Sequence, residues 1–116
     1  MDPQRLSASV DAEWDRSILP ELVEYIRIPC KSPLFDKEWA TTGHLDRAVR
    51  LIETWCKAQP IDGLKVEVVR LPGRSPLLFM EIPGTDEGKT DTVMLYGHYD
   101  KQPEMTGWRE GLGPWI

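Results

Sequence analysis

The chain has 116 residues, 41% of them hydrophobic and 28% charged, the balance of a soluble globular domain rather than of a disordered segment. Its 14 Lys and Arg stand against 19 Asp and Glu, a formal net charge of −5 without any basic tract, which argues against nucleic acid as the main partner. No apolar run approaches the roughly 20 residues that span a bilayer, and Met1-Asp2-Pro3 opens neither a basic nor an apolar leader. The expectation is a cytoplasmic protein with no membrane partner, in which Cys30 and Cys56, outside C-x-x-C spacing, are buried thiols.

Val10, Trp14, Ile18, Leu22 and Ile26 recur every fourth residue. That spacing predicts a helix with one buried face. Pro20 lacks the backbone donor a helix needs, which predicts a kink or a break there, and the helix should stop before Pro29. Lys31 to Thr42 reads as a loop. Leu45, Ala48, Val49, Ile52, Trp55 and Cys56 then share one face of a second helix, closed by Pro60. His44 stands just before it, where a capping or surface role outweighs metal binding.

At Gly63 the period changes. Leu64 to Val68 alternates apolar and charged residues and predicts a strand with one wet face. Pro72-Gly73-Arg74-Ser75 is a turn signal, and Leu77 to Ile82 is a second strand, antiparallel to the first because the connection is short. Pro83 to Asp91 reads as a surface loop. Thr92 to Tyr96 is apolar on both faces and predicts a buried central strand, ended by Gly97. From His98 on no periodicity is visible. The expected fold is α/β, with two N-terminal helices packed on a small mixed sheet. Trp14, Trp39 and Trp55 are assigned to core packing.

The chemistry gathers in Tyr96-Gly97-His98-Tyr99-Asp100, after the expected buried strand. Ligands collect at the carboxyl ends of strands in α/β sheets. An extended backbone sends alternate side chains to opposite faces, so His98 and Asp100 point one way and Tyr99 the other. An imidazole beside a carboxylate suits zinc binding, with the carboxylate orienting the ring, and it suits acid–base work as well. Gly97 leaves room for a ligand to approach. Taken alone, G-H-x-D is a short pattern, and a hydrogen-bonded structural histidine is its commoner use.

The longer string, Leu95 to Pro103 followed by Gly107-Trp108 and Gly113-Pro114-Trp115, resembles the first metal-site motif of the M20 zinc peptidases. It is most similar to their dipeptidase-like, carnosine-dipeptidase branch, and Arg70 to Ile82 resembles the edge strands of that family. The resemblance implies that residues 1–116 are the N-terminal part of a single metallopeptidase catalytic domain. His98 would be a ligand of one zinc in a two-zinc site, and Asp100 the catalytic-site carboxylate beside it. The substrate would be a short peptide or an N-acyl amino acid, and the full-length enzyme a homodimer. Lys101, Gln102 and Pro103 would shape the following loop. The bridging Asp, the Glu pair and the further His of the family have no counterpart here, since Glu104 and Glu110 sit in no matching motif. The chain therefore reads as an N-terminal fragment, inactive by itself. The rival readings are a non-catalytic binding module and an N-acyl amino acid deacylase of the same family.

Overall fold

In the computed structural model, which describes residues 2–85 and 91–116, contacts divide the chain into two units. One takes in the chain up to Pro29 together with Glu104–Ile116, and the other is Cys30–Pro103.

In the first unit the Asp2 carboxylate caps α1 (Pro3–Glu13) by accepting from the Gln4 amide at 3.0 Å, and Pro3 fills a first-turn position where its missing N–H costs nothing. The chain then passes through a π-turn, Trp14–Ile18, into α2 (Leu19–Ile26). Pro20 is the physical reason for the wide turn. In a regular helix its ring would collide with the Arg16 carbonyl, and it has no proton to offer. The Leu19 amide instead reaches back to the Trp14 carbonyl, five residues away. The expected kink or break is thus a π-turn, and the helix continues beyond Pro20. α2 ends at Ile26, ahead of Pro29, as the sequence predicts.

The predicted apolar stripe is present but not buried. Val10, Trp14, Leu22 and Ile26 are between 38% and 56% exposed, and α1 and α2 contain no buried residue. The period alone cannot show whether anything covers the face it marks. Ion pairs of Glu13 with Arg16 and of Glu24 with Arg27 decorate the same helix. The Arg16 hydrogen bond holds the Glu13 carboxyl below the usual carboxylate range. Glu104–Ile116 has no helix or strand. It turns at Arg109–Leu112, through a 3.0 Å amide–carbonyl bond, and the Trp108 indole donates to the Met105 carbonyl at 2.8 Å.

In the second unit a short helix, α3 (Trp39–Thr42), runs into α4 (His44–Lys57) through Gly43, whose φ of 72° is left-handed backbone. Leu45, Ala48, Val49 and Cys56 are buried on the predicted face, with Ile52 and Trp55 half-buried beside them. α4 packs on a hairpin of β1 (Lys65–Val69) and β2 (Leu77–Glu81). The strands are antiparallel, with Lys65 opposite Glu81 and Val69 opposite Leu77. The turn between them carries Pro72, then Gly73 at φ 69°, and an Arg74 amide bonded to the Leu71 carbonyl at 3.1 Å, the residue pattern of a type II turn. Asp46 receives both Arg50 from its own helix and Arg70 from the end of β1. Among the described residues no helix is long and apolar enough to cross a membrane.

Two expectations change here. Among the described residues the sheet is a two-stranded antiparallel pair rather than mixed, and the parallel bridge of Lys31 with Lys101 stands outside it. The second expected helix, α4, packs on that sheet. Thr92–Tyr96 is not a buried strand: Asp91–Asp100 has no regular secondary structure, and Val93, Met94, Leu95 and Tyr96 are 86–91% exposed. A strand apolar on both faces needs a neighbour on each side and cover above and below, and the described residues bring neither to it. The loop expected over Pro83–Asp91 is described to Thr85, and its residues 86–90 lie outside the described residues.

Candidate functional site

The segment carrying His98 and Asp100 is held from its downstream side. The Lys101 amide donates to the Cys30 carbonyl at 2.8 Å, and the Ser32 amide donates to the Lys101 carbonyl at 2.9 Å. The Cys30 thiol, fully buried, lies 3.4 Å from the Tyr99 carbonyl. The Tyr99 hydroxyl donates to the carbonyl of Pro76, the buried residue just before β2, at 2.7 Å. These contacts bracket Asp100 on both sides.

His98 and Asp100 meet. The imidazole Nδ1 lies 2.9 Å from both the Asp100 carbonyl oxygen and its Oδ1. A carbonyl oxygen can only accept, so in the neutral ring the proton is assigned to Nδ1 and the lone pair to Nε2. The backbone bond to Asp100, then its carboxylate bond and charge, raise the His98 pKa above its ordinary value. The pair lies near the surface, with the His98 side chain 65% and the Asp100 side chain 31% exposed. Tyr99, between them in sequence, reaches instead to the Pro76 carbonyl.

This is the arrangement in which a carboxylate fixes the tautomer of a histidine that offers Nε2 to a metal. The fit to zinc is partial. Zinc takes three or four protein donors, and no three His, Cys, Asp or Glu side chains are grouped to hold an ion among the described residues. His98 supplies one donor, so no reaction step through a metal follows from this chain alone. The room expected at Gly97 is there, since a Cβ would meet nothing within 4 Å. No neighbour in this chain therefore requires glycine at that position.

The remaining sequence candidates stand apart from the pair. His44 is the first residue of α4, where the cap position belongs to Gly43 and no side chain caps. Cys56 is buried in α4, and burial pushes its thiol pKa up. Trp39 and Trp55 are half-buried, whereas Trp14 is exposed, which corrects its assignment to a core. The sequence did not single out Cys30, Pro76 or the Tyr99 hydroxyl as supports of the site. Cys30 and Tyr99 are 69 residues apart, and nothing local marks them as partners. No protein-family model matches the chain, and no curated protein is significantly similar to it.

Proposed function

We propose that the chain is the N-terminal part of a metal-dependent hydrolase of the M20 type, cytoplasmic, acting on dipeptides or related amides. The observation that carries this reading is the His98–Asp100 contact inside the G-H-x-D string, with Nδ1 taken by Asp100 and Nε2 left as the donor nitrogen. A bound zinc pair supplies such enzymes with an activated water and a polarised scissile carbonyl. This chain's own share is narrower. His98 offers one ligand nitrogen, and Asp100 fixes the ring and raises its basicity. On this reading the complete enzyme supplies the other donors and the general base.

The test is hydrolysis by the natural gene product, with zinc removed and restored, over a panel of dipeptides and N-acyl amino acids. We expect zinc-dependent dipeptide turnover. His98→Ala should abolish it, and Asp100→Ala should weaken metal affinity about 10–100-fold, the usual cost of losing such a support. The 116-residue chain alone should turn over neither class. Turnover confined to N-acyl substrates would reassign the chemistry to deacylation. Metal-independent turnover, or turnover indifferent to His98→Ala, would overturn the assignment.

A further inference from the structure

We propose that Tyr99 is a positioning residue for the His98–Asp100 pair: its hydroxyl, tied to the Pro76 carbonyl, fixes the backbone path that lets Asp100 hold the proton on His98 Nδ1. The inference rests on the metal-ligand reading of His98 for its significance, but the geometry behind it does not depend on a metal.

Upstream, Asp91–Gly97 is exposed and in no regular structure, so nothing described on that side sets the position of His98. Four of the downstream ties bear on the segment. Three of them run to one strip of chain, Cys30–Ser32: the Cys30 thiol on the Tyr99 carbonyl, the Lys101 amide on the Cys30 carbonyl, and the Ser32 amide on the Lys101 carbonyl. The fourth tie, from the Tyr99 hydroxyl to Pro76, runs in a different direction, to the entry of β2. Its acceptor is a buried proline carbonyl on backbone whose φ is locked by the ring. With that tie in place, the Tyr99 side chain engages Pro76 while His98 and Asp100 engage each other. The hydroxyl donates to Pro76 and acts on the pair through the backbone, which makes Tyr99 a positioning residue and not a catalytic one.

The nitrogen-15 signals of the neutral imidazole report which ring nitrogen carries the proton, and they can be read in the 116-residue chain without metal. In the native chain the Nδ1–H tautomer of His98 should dominate, because its proton is held by Asp100. Tyr99→Phe should make Nε2–H the major form while the His44 signals and the β1–β2 amide pattern stay in place. Asp100→Ala should shift His98 the same way. Cys30→Ala, which keeps the hydroxyl tie, should shift it less than Tyr99→Phe. If Tyr99→Phe loses the hairpin pattern, fluorotyrosine at position 99 keeps the ring and makes the hydroxyl a stronger donor to Pro76, and a small shift in the opposite direction, toward Nδ1–H, is expected. An unchanged His98 tautomer in either experiment would overturn the proposal, as would an equal or larger effect from Cys30→Ala. Failure here leaves the hydrolase reading standing, and failure of zinc-dependent turnover leaves the tautomer result standing.

Discussion

Tyr99 has a half-buried ring, and burial, with Cys30 nearby, pushes its pKa up to about 12. In the unfolded chain the same phenol ionises near 10. Above that pH the unfolded state has given up a proton that the folded state keeps, so stability is full below about 10 and falls as pH rises through about 12. Denaturant melts at about pH 9 and about pH 11 should show a loss of stability in the native chain that is clearly smaller in Tyr99→Phe. Equal losses would mean that Tyr99 does not carry the alkaline transition. The His98–Asp100 contact has a related sign. The folded pKa of His98 is raised, so its contribution is complete below the ordinary histidine value and disappears as pH rises through the raised one. Gly63 gives a backbone test. Its φ is 76°, and an added Cβ would lie 2.9 Å from Pro83 Cγ. Gly73 has a similar φ, 69°, but open space around it. Gly73→Ala should cost about 1–2 kcal/mol from the left-handed backbone alone. Gly63→Ala should cost more, and urea unfolding of the two variants checks the order.

At the level of elements, α1–α2 and α4 carry similar apolar periodicity with opposite outcomes. Val49 is 0% exposed in the α4 face that meets the hairpin, whereas Val10 is 56% exposed on α1. Val49→Ala removes two buried methyl groups and should destabilise by about 2 kcal/mol. Val10→Ala should change stability by less than about 0.5 kcal/mol, as at other exposed positions. Equal effects in chemical denaturation would show that the α1 stripe is covered in solution. The π-turn also bears on that stripe. Around a 3.6-residue helix every fourth side chain slips by about 40°, and the wider turn at Trp14–Ile18 takes back part of the slip. Trp14 and Leu22 therefore stay closer to one line than an unbroken α-helix would keep them.

At the scale of the molecule, the buried hydrophobic set among the described residues is small: Ile28, Cys30, Leu45, Ala48, Val49 and Cys56. Val93, Met94, Leu95 and Tyr96, by contrast, stand almost entirely in solvent. Fully burying a large apolar side chain is worth about 1.5–3 kcal/mol, against about 5–15 kcal/mol for the net stability of a typical domain. Four such side chains in one uncharged run are therefore a strong drive toward association between chains. Sedimentation at several concentrations should show concentration-dependent association, reduced by Leu95→Glu with no change in the hairpin. A concentration-independent monomer with a cooperative thermal melt would show that the segment finds cover within its own chain.

The sequence by itself determined the features that depend on neighbours along the chain. Helix α4 and its buried face, both strands and their antiparallel pairing, the Pro72–Gly73 turn and the stop before Pro29 all follow from periodicity, proline chemistry and short connections. His98 and Asp100 do meet, two residues apart, but on backbone without regular structure rather than at the end of the predicted strand. Only the tertiary structure decided which apolar faces are covered. The stripe of α1–α2 and the run Thr92–Tyr96 look as hydrophobic as the face of α4, but burial needs a partner surface, and hydrophobicity does not name one. The supports of the site were equally hidden. Cys30, Pro76 and Tyr99 come together over long sequence separations, through a carbonyl, a thiol and a hydroxyl, and a backbone carbonyl is present in every residue and marks none of them.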